Sequence, residues 1–150
     1  MITLALFEQM ANDGVGGLTR NTDFFWEELP LQSNGKPASG VWLITRGGDA
    51  SRSPKGLNLK TTVDFYVAYA NKVKAEKAQR AILDYFIANP CFCELAGSVG
   101  DVAYSFENVR VRATTTPQND GVTENGLIVK MASYQLVYDI KLNERNNNGN

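Results

Sequence analysis

The sequence predicts an α+β domain: a mostly antiparallel sheet of about five strands with one long and one short helix on one face, plus a bent, projecting β-hairpin. Three observations predict it. Leu57, Leu59, Val63, Phe65, Val67 and Tyr69 alternate with Asn58, Lys60, Thr62 and Asp64, the period-two pattern of a strand with one face on a core. Ala75, Ala78, Ile82, Tyr85 and Phe86 recur at three- and four-residue steps, the stripe of an amphipathic helix. In the last third of the chain two alternating segments each slip phase once, as a bulge or sharp bend requires.

The elements follow in order. Ile2, Leu6 and Met10 place a short helix over residues 2–12, with Gly14 positioned to end it. The glycine cluster Gly14–Gly17 is a flexible turn; no Gly-Lys-Ser/Thr follows it, so it is not a phosphate loop. Phe24-Phe25-Trp26 reads as a short strand, and Ser33–Gly40 as a turn-rich loop. The apolar run Val41–Thr45 has strand length and predicts cover on both faces. Residues 46–56 read as a polar loop. The strand over 57–69 runs to Asn71, which caps a helix ending near Ala88 before Asn89-Pro90. Two strands close the domain, 102–115 and 127–142. In the first, Val102, Tyr104 and Phe106 give way to Val109, Val111 and Ala113; in the second, Leu127, Val129 and Met131 give way to Ala132, Tyr134 and Leu136. Two slips in segments joined by the Thr116–Gly126 loop predict a paired hairpin that bends in one place and outruns the core, with 46–56 and 116–126 as mobile loops. The single domain covers 1–145, and the Asn-rich residues 146–150 form a flexible tail.

The chain has 150 residues, 43% hydrophobic and 21% charged, with a net charge of −1. That is globular composition, and it argues against a general nucleic-acid or membrane-surface binder. There are no histidines, which removes Ser-His-Asp and Cys-His catalysis and His-ligated zinc. No apolar run approaches the roughly 18–20 residues of a bilayer span. The N-terminus lacks the basic start of a signal peptide, so a cytosolic site of synthesis is expected. Cys91 and Cys93 read as small buried apolar residues, with a redox pair as the lesser reading.

Candidate catalytic groups are few. Glu27 and Glu28 are neighbours on a strand and point to opposite faces. Asp49, Asp64 and Asp101 show no Mg²⁺ or Ca²⁺ loop spacing. No catalytic residue, cofactor or metal site is therefore assigned. Charge layout says more. Residues 36–80 hold nine basic and three acidic residues, and the remainder holds six basic and thirteen acidic. Such a chain can present one positive and one negative surface, suited to head-to-tail association of copies. The alternatives are an even scatter of charge, or phosphate contact by Arg46, Arg52, Lys55 and Lys60. The interface candidates are Arg46, Arg52, Lys55, Lys60, Lys72, Lys77, Arg80 and Glu124.

A short N-terminal helix leads into DGVGGLTRNTDFFWEELP, then the strand and glycine pair GVWLITRGG, then LNLKTTVDFYVAYANKVKAEKAQRAILDYF and a closing β-hairpin. This order of segments, over roughly residues 1–142, resembles the tail-terminator (minor capsid, tail-completion) proteins of long-tailed bacteriophages. The resemblance implies a non-catalytic virion protein with no cofactor, assembled in the host cytoplasm and placed at the head–tail junction. It implies a homo-oligomeric ring, commonly six-fold, that caps the tail tube, stops its growth and offers a surface to the head connector. Partners would be other copies, the major tail tube protein and connector or neck proteins. No membrane is involved, and contact with DNA passing through the lumen is left open. The sheet with helices on one side is the fold it implies. Another neck protein, a head-closure or adaptor subunit, is the nearest alternative. A small carboxylate-dependent hydrolase or a ligand-binding module is the reading from a different class.

Overall fold

The computed structural model describes residues 2–48, 50–53 and 56–140, with 50–53, 56 and 57 described by their backbone. The fold is α+β, with two helices and a mostly antiparallel, twisted sheet. Helix α1 spans Ile2–Asn12, and a 3-10 turn at Val15–Gly17 follows it. Strands β1 (Phe24–Trp26), β2 (Gly40–Arg46), β3 (Ala50–Ser53) and β4 (Gly56–Tyr69) precede helix α2 (Lys72–Ala88). Strands β5 (Cys91–Val99), β6 (Val102–Ala113), β7 (Gln118–Val122) and β8 (Ile128–Ile140) follow it.

The long pair β4 and β8 forms the centre of the sheet. It runs antiparallel without a slip from Asn58 opposite Asp139 to Tyr69 opposite Ile128. Each member is flanked on its outer side by two shorter strands placed end to end. Along β4 these are β2 and β3; along β8 they are β6 and β7. β1 adds to β2 in parallel and β5 adds to β6, giving the order β1-β2-β4-β8-β6-β5.

Both helices lie on one face of the sheet. Leu6, Phe7 and Met10 of α1 and Ala75, Ile82 and Phe86 of α2 share a core with Val41, Leu43, Val63, Phe65, Tyr134 and Leu136. Period-two alternation of β4 places Val63, Phe65 and Val67 under the helices. The helix α2 boundary is set locally. The Asn71 side chain accepts from the backbone N–H groups of Val73 at 2.8 Å and Lys74 at 3.1 Å, satisfying two donors that the first turn leaves free. Asn71→Ala is expected to cost about 1 kcal/mol, seen as a thermal midpoint lowered by about 2–4 °C in a chain of this size.

Several expectations need correction. The sheet has eight strands, not about five, because β3, β5 and β7 were not anticipated. The segments expected as mobile loops carry β3 and β7. β7 (QNDGV) is exposed throughout, so it offers no hydrophobic pattern and is defined by backbone pairing with β8. In β5 the helix-facing residues Phe92 and Leu95 lie three apart, opposite Val109 and Phe106 of β6, which change phase at the same place, and this hides the period of two. The closing hairpin does not project. β8 lies between β4 and β6, paired along its length.

The two phase slips have different causes. The first is a bulge: the β6–β8 register shifts between Glu107 and Arg110, with Asn108 at φ 53°. The second is not a bulge in the central pair. β8 stays in register with β4, but its N-terminal part is also buried on the opposite face, where Val129, Leu127, Ala68 and Trp42 form a small second core. Trp42 stacks on Tyr66 there, with centroids 5.3 Å apart and planes at 8°. The cover on both faces expected of Val41–Thr45 is present for Val41, Trp42 and Leu43, which are buried, while Ile44 and Thr45 are only half-buried. The predicted Asn146–Asn150 tail lies outside the described residues.

Candidate functional site

The helices leave the other sheet face open, and alternation places a defined set of side chains on it. Register aligns them in rows across the strands. Trp42, Tyr66, Met131 and Gln118 form one row at the end nearest the second core. Ile44, Asp64 and Ser133 come next. Arg46, Thr62, Gln135 and Arg112 follow, drawn from β2, β4, β8 and β6. Lys60, Val137, Arg110 and Cys91 form the row after that. Asn58, Asp139, Glu107 and Glu94 close the series.

The rows differ in character. Asp64 is buried, and its carboxylate is fully engaged: Arg46 Nε lies 2.8 Å from Oδ2, and Ser133 Oγ donates to Oδ1 at 2.5 Å. Arg46 Nη2 also donates to Ser133 Oγ at 3.2 Å. These three residues tie β2, β4 and β8 together where the aromatic end of the face meets the basic middle. Burial and the nearby Asp64 carboxylate both raise the pKa of the Tyr66 phenol, in that order, so it stays a neutral hydroxyl at neutral pH. Lys60, Arg110 and Arg112 are exposed, and none makes an ion pair among the described residues.

The predicted interface residues are divided between the two faces. Arg46 and Lys60 lie on the open sheet face. Lys72, Lys77 and Arg80 are exposed on α2, in the opposite layer, and Arg80 Nε holds Asp84 at 2.8 Å. Glu124 is exposed in the turn between β7 and β8. Arg52 belongs to β3 by its backbone, while its side chain and the whole of Lys55 lie outside the described residues. The basic excess of residues 36–80 is thus spread over two layers and is not one patch.

The candidate carboxylates do not gather. Glu27 follows β1 at φ 55° and accepts from Thr45, by its backbone N–H at 3.1 Å and by its hydroxyl. Asp64 is held on the open face as described. Asp101 sits in the β5–β6 turn, and Asp49 lies outside the described residues. No group of three metal-ligating side chains occurs among the described residues. Cys91 and Cys93 are both exposed, a correction to their expected burial. The reason is their position on β5, the last strand of the sheet, where Cys91 pairs with Arg110 on the helix-free side.

Sequence reasoning missed Arg110 and Arg112 as site residues. The signal was present: Val109 and Val111 alternate with them, so a core-facing valine pair forces the arginines outward. It also missed Lys130, buried beneath α2. Its Nζ reaches Glu76 Oε1 at 2.6 Å and Asn119 Oδ1 at 2.8 Å, joining α2, β8 and β7. The hydrogen bond from Lys130, and then its charge, hold the Glu76 carboxyl below its ordinary value of 4.5. A lowered carboxylate pKa stabilises the fold above the unfolded value and loses that contribution as pH falls through the folded one. The thermal midpoint of the parent protein should therefore exceed that of Glu76→Gln near neutral pH, and the gap should close well below pH 4.5. Melting curves across that range check it.

Among the described residues no helix is long and apolar enough to cross a membrane. No protein-family profile matches the chain, and no curated protein matches it.

Proposed function

We propose that this chain is a tail-terminator subunit of a long-tailed bacteriophage, a non-catalytic virion protein of the head–tail junction. In this reading copies close into a ring, commonly six-fold. The ring caps the last ring of the tail tube, stops its polymerisation and offers its far side to the connector. The observation that carries the reading is the sheet with an edge strand at each end. β1 and the nine-residue β5 terminate the order β1-β2-β4-β8-β6-β5, and each pairs with one strand among the described residues. Edge strands present unpaired N–H and C=O groups along their outer sides, although on the three-residue β1 the Phe24 carbonyl already accepts from the Asn21 N–H at 2.8 Å. Two different edges at opposite ends favour a heterologous contact, repeated from copy to copy. Such contacts close into a ring when the rotation between neighbours divides the circle. The order of sequence segments that resembles the terminator family supports the same reading.

The test is to add the purified protein to polymerising tail-tube subunits and view the product by negative-stain electron microscopy. Tubes should stop lengthening and carry a distinct ring at one end, and the protein should sediment with the tubes. Tubes that grow unchanged, with protein that remains monomeric at high concentration by analytical ultracentrifugation, would overturn it.

A further inference from the structure

We infer that the helix-free sheet face binds the phosphodiester backbone of DNA through a basic band formed by Arg46, Lys60, Arg110 and Arg112. The inference deepens the terminator reading, since a ring that meets both tube and connector surrounds the path of the DNA. It stands on register. Arg46 and Arg112 occupy the two ends of one cross-strand row, and Lys60 and Arg110 lie in the adjacent row. Residues from three strands, separated by up to 66 positions in sequence (46 to 112), thereby fall within two rows.

Spacing and charge both favour a polyanion. Arg110 and Arg112 are two residues apart on β6, about 6.5–7 Å along the strand. Neighbouring strands are about 4.8 Å apart, so the band is roughly 14 Å wide across β2, β4, β8 and β6. Arg110 and Arg112 also line one shallow depression with Val111 and Val137, which gives an anionic group a floor to rest on. Lys60, Arg110 and Arg112 are exposed and without an ion-pair partner among the described residues, so their charge is available. Asp64 offsets part of the Arg46 charge but also fixes its guanidinium over the sheet.

Direction follows from what borders the band. On one side it meets the row of Ile44, Asp64 and Ser133, with the Trp42–Tyr66 end beyond, and on the other the row containing Asp139, Glu107 and Glu94. A backbone running along the strands would enter that acidic row. One that crosses the strands stays on the cations. The contact reads charge and spacing, so it carries no base specificity. The low net charge of the whole chain is no obstacle, because the basic residues of this face are concentrated in two rows.

The test is fluorescence anisotropy with a labelled duplex oligonucleotide, titrated at several salt concentrations. The parent protein should bind at low salt, with affinity falling linearly on a log–log plot as salt rises. Arg110→Gln with Arg112→Gln should weaken binding at least tenfold and reduce the magnitude of the salt slope by about 2, one phosphate contact per arginine. Lys72→Gln with Lys77→Gln, on α2 in the opposite layer, should bind as the parent does. Absence of binding by the parent, or equal losses in both pairs of variants, would overturn the inference. Unchanged melting temperatures show that the variants fold. The tube-capping assay separates the two claims. Capping without DNA binding removes the basic band alone, while DNA binding without capping removes the terminator reading.

Discussion

Gly48→Ala should abolish or nearly abolish the folded state, while Gly47→Ala should leave it intact. The two glycines are adjacent, and the difference is geometric. A β-carbon at Gly48 would collide with the Lys60 carbonyl oxygen, with the carbonyl carbon at 2.6 Å and Thr61 Cα at 2.9 Å. All three atoms belong to the backbone of β4, the central strand, so no side chain can swing aside. Relief requires β2 and β3 to lift from β4 where one ends and the other begins. That would break pairing on both sides and disturb Arg46, which holds Asp64. A cost above about 4 kcal/mol is expected, near the top of the range for single substitutions. A domain with roughly 5–15 kcal/mol of total stability would lose a large part of it. At Gly47 an added β-carbon meets nothing within 4 Å, and no positive φ opposes it. Alanine there should be neutral or stabilise by up to about 1 kcal/mol through reduced unfolded-chain entropy. Urea unfolding of the two variants, side by side, checks both statements.

The second large effect is expected at Phe65. This residue is 1% exposed and lies at the centre of the β4 helix-facing row. Its ring meets Tyr134 of β8 edge-on at 5.5 Å and Phe86 of α2 at 5.8 Å, and Phe86 in turn lies 4.7 Å from Tyr134. The three rings join the two central strands to the long helix. Burial there also pushes the Tyr134 hydroxyl up to about 12, so it contributes no charge at neutral pH. Phe65→Ala removes one of the three rings and leaves a cavity that the surrounding strands cannot collapse, at a cost of about 3–5 kcal/mol. Phe65→Leu keeps most of the volume and should lose roughly 1–1.5 kcal/mol. A lower urea midpoint at unchanged slope would show that stability alone has changed. If Phe65→Ala instead matched Phe65→Leu, the aromatic cluster would not be the link between helix and sheet.

Much of the fold was legible because local patterning writes it. The stripe of α2 and its Asn71 cap, the alternation of β4 and the short α1 each depend on residues a few positions apart, and each was read with its boundaries within two residues. The slip before Val109 correctly marked a bulge, since an extra residue must invert the faces. The slip within β8 looked the same in sequence but arose from a second buried face. Periodicity reports that a side chain is apolar, not which of two cores receives it.

The candidate site was less legible, for a physical reason. Arg46 and Lys60 were noted individually, yet their neighbours on the face are Arg110 and Arg112, and register alone makes them neighbours. Lys72, Lys77 and Arg80 seemed to belong with them in sequence, but the turn from β4 into α2 carries them to the opposite layer. Local patterning settles which segments form strands and helices wherever an apolar face recurs at a regular period. Tertiary structure alone decided strand order, the pairing of β3, β5 and β7, and the charges that share a surface. Those depend on contacts between distant segments, and no local period encodes the contact of one strand with another.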